Sequence, residues 1–149
     1  MISNSPEETR RLGMQLAEEL RPGDVILLEG PLGAGKSEFA RGVAKGLGVR
    51  ETVTSPSFTI LNVYESGRIP LYHFDWYRLE SEEELYELGL DEYLGGAGAA
   101  LVEWPGRCPD ALPEDFALIE IQPLDGNRRS LRMLRHGNFQ KTSWEGTET

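Results

Sequence analysis

Cysteine is nearly absent from this sequence, and its scarcity excludes two kinds of structure. Cys108 is the single cysteine among 149 residues, so the chain can form neither an internal disulfide nor a metal site built from several thiolates. The sequence around Cys108 offers no histidine partner, and we therefore expect an inert thiol. A reducing cytoplasm is the simplest compartment for such a chain.

Long apolar runs are missing as well. No run approaches the roughly 18–20 residues that a membrane-spanning helix needs. The N-terminal segment MISNSPEETRR lacks the apolar stretch of a secretory signal. We therefore expect a cytoplasmic chain without membrane association. Its length of 149 residues suits one domain with one core.

Positive charge is scarce, and lysine is scarcer than arginine. The net charge is −10, and only three of the 15 basic residues are lysines. A surface of this charge repels a phosphate backbone, so broad nucleic-acid binding is not expected. One local basic group consists of Arg128, Arg129, Arg132 and Arg135. We interpret these arginines as the solvent face of an edge strand.

Helix and strand signals alternate along the chain. Ser5 and Glu8 are placed as a capping box at the start of a first helix, and Ser81 and Glu84 at the start of a shorter one. A further helix is predicted from residue 37 to about residue 47. Short apolar or alternating runs predict strands at residues 24–29, 59–64, 70–75, 99–104, 115–121 and 129–134.

Residues 30–37 read GPLGAGKS and satisfy the pattern G-x-x-x-x-G-K-[ST]. A buried strand precedes them and a helix follows, as a phosphate-binding loop requires. Glycines let backbone N–H groups converge on phosphate oxygens, and the helix start adds a positive end. Lys36 can reach the β- and γ-phosphates, and the Ser37 hydroxyl can hold Mg²⁺. The predicted nucleotide-binding residues are Gly30, Gly33, Ala34, Gly35, Lys36, Ser37 and Glu38.

This order of elements predicts the fold class. An early strand, loop and helix followed by apolar strands indicate an α/β fold with helices outside the sheet. We predict a P-loop NTPase-like three-layer sandwich with a mostly parallel sheet and flanking helices. Residues 1–136 would form this single domain, with a hairpin turn at 65–69. Residues 137–149 lack a pattern, and we predict a disordered tail there.

Two acidic residues stand where predicted strands end. Asp75 ends the run PLYHFD, and Glu103 ends the apolar part of AALVEW. Ligands of open α/β sheets gather at the carboxyl ends of the strands, and Mg²⁺ beside a phosphate-binding loop takes an acidic ligand there. Each acid alone could instead be a solvated carboxylate, but two of them beside such a loop favour a metal site.

A polar loop is a candidate sensor of the γ-phosphate, and a missing motif indicates which nucleotide is bound. Thr54 begins the loop TSPSF, where a threonine could sense the γ-phosphate as switch loops do, although a routine loop has the same composition. The guanine-reading pattern N-K-x-D is absent, so ATP is favoured by default. We interpret His73 as packed within a strand. Trp104 either walls the nucleotide site or packs, and the sequence does not separate the two.

Five segments in this order resemble the bacterial TsaE (YjeE) family over roughly residues 5–135: GPLGAGKSEFARGVAKGLGV, VTSPSFTILNVYE, LYHFDWYRL, EELYELGLDEYL and ALVEWPGR. The resemblance implies a small ATPase of tRNA threonylcarbamoyladenosine biosynthesis that binds ATP and Mg²⁺. It also implies association with a TsaB–TsaD heterodimer, whose TsaD modifies adenosine 37 of ANN-decoding tRNAs. Strong direct tRNA binding by the chain alone is then not expected.

The resemblance also assigns roles to residues. Lys36 and Ser37 match the phosphate and Mg²⁺ residues, and Glu103 matches the acidic Mg²⁺ ligand. Asp75 would orient the water or the metal shell, and Thr54 would belong to the switch. The predicted catalytic residues are therefore Asp75, Glu103 and Thr54, and the predicted metal ligands are Ser37 and Glu103. Trp76 stands where the family usually has leucine, which affects packing or partner contact.

Two other functions remain open on the sequence. A small nucleotide or metabolite kinase could use the same loop, with Arg78 and Arg107 as lid residues. A nucleotide-gated binding subunit with negligible turnover would also fit. The start of the first helix, Ser5–Thr9, and Arg128 are candidates for the pocket of the base.

Overall fold

A seven-stranded sheet is the centre of the computed structural model, which describes residues 1–140 and residue 142. The strands are β1 (Ile2–Ser3), β2 (Val25–Glu29), β3 (Leu61–Tyr64), β4 (Leu71–Asp75), β5 (Ala99–Glu103), β6 (Phe116–Pro123) and β7 (Arg129–His136). The helices are α1 (Pro6–Ala17), α2 (Lys36–Leu47) and α3 (Glu82–Glu87). Short 3₁₀ turns cover Leu90–Tyr93, Pro105–Arg107 and Pro109–Ala111.

The sheet is mixed, so the prediction of a mostly parallel sheet was wrong. Its strand order is β1-β7-β6-β2-β5-β4-β3. Parallel pairs join β2 to β5, β2 to β6 and β4 to β5, whereas β1–β7, β3–β4 and β6–β7 are antiparallel. Two of the antiparallel pairs, β3–β4 and β6–β7, have short connections, and strands joined by a tight turn must run in opposite directions. The predicted turn at 65–69 is one of these connections.

Helices flank the sheet on both faces, as predicted. Side chains of β2 alternate, and Ile26 and Leu28 belong to the apolar cluster under α1 and α2. Val25 and Leu27 point the other way, into the cluster that contains Leu85 of α3. Both clusters consist of buried side chains, so the central strands are covered on each side.

The two predicted capping boxes differ in the structure. Ser5 caps α1 as predicted, because its hydroxyl accepts a hydrogen bond from the Glu8 N–H at 3.1 Å. The Glu8 carboxylate accepts from the N–H of Asn4 rather than Ser5, at 2.6 Å. Before α3, the Ser81 side chain makes no capping hydrogen bond, so that part of the prediction was wrong. No helix among the described residues is long and apolar enough to cross a membrane.

The structure shows where Trp76 lies and how far the packed chain extends towards the C-terminus. Trp76 is fully buried and packs edge-on against Phe74, so the unusual tryptophan serves core packing. Phe139 is buried in the cluster under α1 and α2, and Gln140 donates to the Glu19 carbonyl at 2.9 Å. The packed chain therefore extends beyond the predicted boundary at residue 136. The rest of the predicted tail, residues 141 and 143–149, lies outside the described residues.

Candidate nucleotide site

The glycine-rich loop at residues 30–35 connects β2 to α2, and its glycines are required for different backbone reasons. A Cβ atom on Gly30 would lie 2.4 Å from the Ile121 carbonyl oxygen, so only glycine fits beside β6. Gly33 and Gly35 have φ angles of 79° and 107°, a region that other residues rarely adopt. Gly35 is also the residue that precedes α2. The loop therefore has the backbone form that lets N–H groups turn towards a ligand.

Lys36 is buried at the start of α2. Its ammonium group donates to the Gly30 carbonyl at 2.7 Å and lies 3.9 Å from the centre of the Trp104 ring. Burial lowers the pKa of Lys36, although the nearby Glu103 and Asp75 carboxylates partly counteract this effect. The sequence left open whether Trp104 forms a wall of the site or only packs. In the structure Trp104 contacts the loop lysine and lines the cleft.

Asp75 and Glu103 are neighbours. They are Cα partners at the carboxyl ends of the parallel strands β4 and β5. Only 7% of Asp75 and 6% of Glu103 are exposed. Two carboxylates this buried need compensating partners, and the ammonium of Lys36 is close enough to interact with both. The pairing register thus brings together the two acids that the sequence singled out.

His73 is packed within β4, as the sequence interpretation expected, but it also contacts one of the acids, which that interpretation missed. Its Nε2 lies 2.7 Å from an oxygen of Glu103, and both side chains are buried. Nδ1 of His73 has no hydrogen-bond partner within the described part of the chain. A signal was present in the sequence, because His73 and Asp75 are two residues apart on a strand and therefore share a face. Sequence alone did not reveal that Glu103 faces the same point.

The switch candidate, the loop at residues 54–58, contacts one of the acids. The Ser57 hydroxyl donates to Asp75 at 3.4 Å and lies 2.7 Å from the Ser55 hydroxyl. The other Asp75 oxygen accepts from the N–H of Tyr77 at 2.9 Å. Thr54 is exposed, and its N–H donates to the Tyr64 hydroxyl of β3 at 3.1 Å. The loop is thus connected both to the sheet edge and to the site.

Ile60 closes this loop in a strained conformation. Its φ angle of 69° is unusual for a β-branched residue and costs on the order of 1–3 kcal/mol. The Ile60 N–H donates to the Pro56 carbonyl, and its own carbonyl accepts from the Asp75 N–H, both at 2.8 Å. These two hydrogen bonds keep the end of the loop beside the acid.

A cleft of about 330 Å³ lies between the glycine-rich loop, the acid pair and the two serines of the switch candidate. It is lined by Leu32, Gly33, Gly35, Lys36, Ser37, Glu38, Ser55, Ser57, Asp75, Glu103, Trp104 and Arg129. Ala34 of the predicted set is buried, and Thr54 instead lines a much smaller adjoining cavity with Ser37 and His73. Glu38 is already engaged: burial would raise its pKa, but hydrogen bonds from Arg41 and Arg10 outweigh burial and lower the pKa.

Two arginines that follow the acids in the sequence contact aromatic rings. Phe58 is 81% exposed, and the Arg78 guanidinium lies 4.4 Å from its ring centre. Arg107 lies 5.1 Å from the ring of Tyr77, which in turn contacts Trp104. The two arginines considered as lid residues thus stack on aromatic rings here.

Two further cavities adjoin the cleft. The larger, about 530 Å³, shares Lys36 and Trp104 with it and extends to Arg107, Glu120 and Gln122. It lacks the two acids, so the smaller cleft is the better candidate for phosphate chemistry. The smaller, of about 50 Å³, is lined by Pro6, Thr9, Gly35, Glu38, Asn127 and Arg129. Arg128, a candidate for the base pocket, does not line it and instead pairs with Asp125 at 2.7 Å.

The donors present fit a magnesium ion held together with phosphates. No cluster of three or more histidine, cysteine or acidic side chains suited to a metal occurs within residues 1–140 and 142. Mg²⁺ is commonly held by one or two protein oxygens plus phosphates and water, so a full protein cage is not needed. The Ser37 hydroxyl and a carboxylate of the acid pair are suitable oxygens on one cleft.

Cys108 lies apart from the cleft. It is fully buried in the cluster on the α3 face, and burial, together with the charges of Glu82 and Glu84, raises its pKa to about 11. At neutral pH the group is therefore a neutral thiol without access to solvent, a poor nucleophile and metal ligand.

Comparisons with known proteins agree on one family. The model of the family described as "Threonylcarbamoyl adenosine biosynthesis protein TsaE" matches residues 3–131. A Bacillus subtilis protein named "tRNA threonylcarbamoyladenosine biosynthesis protein TsaE" is 45% identical over 90% of this chain and 84% of its own length. A Treponema pallidum protein of the same name is 44% identical over 85% of this chain and 94% of its own.

A solved structure is similar throughout. The crystal structure of Bacillus subtilis YdiB superposes with a TM-score of 0.80 at 40% sequence identity. The match covers 93% of this chain and 85% of that chain. The two chains therefore share most of the fold.

Proposed function

The chain belongs to the TsaE family of threonylcarbamoyl adenosine biosynthesis proteins, and from that membership and the geometry of its cleft we propose that it is a P-loop ATPase. It binds ATP with Mg²⁺ and hydrolyses it in support of a TsaB–TsaD complex that modifies adenosine 37 of ANN-decoding tRNAs. The cytoplasm is its proposed compartment. One observation carries the proposal: a buried loop lysine faces two adjacent buried acids across a single cleft.

Phosphate binding is assigned to the loop and the start of α2. Backbone N–H groups around Gly33 and Gly35 and the N-terminus of α2 supply fixed positive dipoles. Lys36 would exchange its hydrogen bond with the Gly30 carbonyl for the β- and γ-phosphate oxygens. Because the ammonium is already desolvated, its attraction to a phosphate is stronger than that of an exposed lysine.

The acids divide the chemistry between them. Glu103 and the Ser37 hydroxyl would hold Mg²⁺, which neutralises charge on the β- and γ-phosphates when bound. Asp75 accepts from the Ser57 hydroxyl and can orient the attacking water while the switch loop closes. Thr54 lies near Ser37 on the small adjoining cavity, where a switch threonine would respond to the γ-phosphate.

The cavity beside the start of α1 would take the base or the ribose. Asn127 offers an amide there, and Pro6 and the Thr9 methyl offer apolar contacts, because the Thr9 hydroxyl is engaged with the Ser3 hydroxyl at 2.7 Å. Gly35 and Arg129 line both this cavity and the phosphate cleft, so one ligand could reach from one to the other.

Reconstitution tests the proposed function. The chain is combined with TsaB, TsaD, MgATP, threonylcarbamoyl-adenylate and an ANN-decoding tRNA, and modified tRNA is counted per complex. We expect modification over many turnovers with the wild-type chain and about one turnover when it is omitted or replaced by Lys36→Ala. Arg128→Ala, which removes only a surface ion pair, should restore turnover. Unchanged multiple-turnover modification without the chain would refute the proposal.

The kinase alternative makes a different measurement decisive. A kinase needs an acceptor, and the cavity of about 530 Å³ beside Lys36 has room for one. Release of free phosphate with TsaB and TsaD present, and without any small-molecule acceptor, supports the ATPase. Transfer of the γ-phosphate to a metabolite would support the kinase instead.

A further inference from the structure

A phosphate-binding loop has a requirement that its sequence motif does not express. If successive N–H groups turn inward to a phosphate, the carbonyls of the same peptide units turn outward and need donors of their own. In this chain a single side chain meets two of them. Arg129 donates from Nε to the Ala34 carbonyl at 2.9 Å and from one terminal nitrogen to the Gly33 carbonyl at 3.3 Å.

The guanidinium is itself anchored from the opposite side. Its other terminal nitrogen donates to the Arg128 carbonyl at 2.9 Å and to the Gly126 carbonyl at 3.3 Å. Arg129 begins β7, where its backbone pairs with Ser3 of β1. A planar group with fixed donor directions can span four carbonyls in this way, whereas a lysine ammonium cannot.

The charge of Arg129 is not used in an ion pair. Its neighbours on the same hairpin are paired, Arg128 with Asp125 and Arg132 with Glu120. Within residues 1–140 and 142, Arg129 forms no salt bridge. Interpreting it as one of several solvent-facing arginines was therefore wrong, because its side chain turns towards the loop and lines the cleft.

We propose that Arg129 is a positioning residue of the phosphate-binding loop. It keeps the carbonyls of Gly33 and Ala34 turned outward and so fixes two peptide units before any nucleotide arrives: the Ala34 N–H stays in its turn with the Pro31 carbonyl, and the Gly35 N–H stays turned towards the cleft. The consequence for nucleotide affinity rests on the proposed function. The effect on the loop does not, because it is a property of the free chain.

The first arm of the test uses the chain without nucleotide. The Ala34 N–H is hydrogen-bonded to the Pro31 carbonyl at 3.1 Å, so its amide exchange reports whether the loop keeps its form. We expect exchange at Ala34 to be about tenfold faster or more in Arg129→Ala and in Arg129→Lys. Arg128→Ala is the matched control and should exchange like wild type. The Ile26 amide in β2 shows whether a variant is destabilised as a whole.

The second arm measures ADP affinity by calorimetry. Both Arg129 variants should bind ADP roughly tenfold more weakly or worse, and Arg128→Ala should bind normally. If Arg129→Lys restores affinity and Ala34 exchange, the residue acts only as a charge and the proposal is overturned. Unchanged exchange at Ala34 in Arg129→Ala overturns it as well. If the wild-type chain binds no ADP, the proposed function fails while the exchange arm still decides the role of Arg129.

Discussion

The imidazole Nε2 of His73 lies 2.7 Å from a carboxylate oxygen of Glu103, in the buried part of the site. A metal-binding carboxylate is ionised and only accepts hydrogen bonds, so in the proposed site Nε2 of His73 would donate to Glu103. One Glu103 oxygen is thereby fixed, and the other stays available to the cleft. Such outer contacts orient metal-binding carboxylates and stabilise them.

His73→Leu removes this donor and leaves a buried carboxylate oxygen unpaired. We expect the Mg²⁺ concentration for half-maximal ATP hydrolysis to rise about tenfold, with a loss of about 1–3 kcal/mol in unfolding free energy. His73→Gln keeps a donor near the same place and should recover part of the Mg²⁺ effect. A Mg²⁺ requirement unchanged in His73→Leu would show that the histidine merely packs.

The buried position of Lys36 predicts a pH dependence of nucleotide binding. Its pKa is lowered from the ordinary lysine value of 10.5, mainly by burial. The ammonium of the free chain therefore deprotonates earlier than an exposed lysine as pH rises, and only the ammonium attracts phosphate. We expect ADP affinity to be constant near neutrality and to fall at alkaline pH, starting below 10.5.

Calorimetry across this pH range, on the wild type and on two variants of Lys36, measures the effect. Lys36→Arg keeps its charge at all these pH values, so its affinity should stay flat. Lys36→Ala should bind roughly 10- to 100-fold more weakly at neutral pH and show no alkaline fall. An equal alkaline fall in Lys36→Arg would assign the pH dependence to another group.

Gly30 offers a test of the loop backbone with a control in the same chain. A methyl group on Gly30 would lie 2.4 Å from the Ile121 carbonyl oxygen, a backbone atom that cannot move aside cheaply. We expect Gly30→Ala to lower the unfolding free energy in urea by about 1–3 kcal/mol. Gly106→Ala meets no atom within 4 Å and should stay within about 0.5 kcal/mol of wild type. Equal stability of the two variants would contradict the close approach.

The sequence predicted the loop and the acids for a physical reason. Their positions depend on local chemistry, since glycines, a lysine and a hydroxyl must follow a strand and precede a helix. Acids at strand ends are recognisable in the same way. Asp75 and Glu103 therefore could be proposed as partners without knowing the strand order.

Other features depend on how distant segments pair, and local patterns do not contain that information. His73 meets Glu103 only because β4 and β5 pair in one register, 30 residues apart along the chain. Arg129 meets Ala34 across 95 residues. The antiparallel direction of β3 and β4 follows from the turn at residues 65–69, which is visible in the sequence, whereas the pairing of β1 with β7 joins opposite ends of the chain.

The most direct test of the central claim separates nucleotide binding from hydrolysis at Glu103. Phosphate release from MgATP is measured with TsaB and TsaD present, and ADP binding by calorimetry, for Glu103→Ala and for Glu87→Ala, an exposed acid of α3. We predict that Glu103→Ala slows phosphate release about 100-fold while ADP affinity changes only a few-fold, and that Glu87→Ala matches wild type in both. Unchanged phosphate release in Glu103→Ala, or equal loss of binding and release, would contradict the assignment of this cleft as the ATPase site.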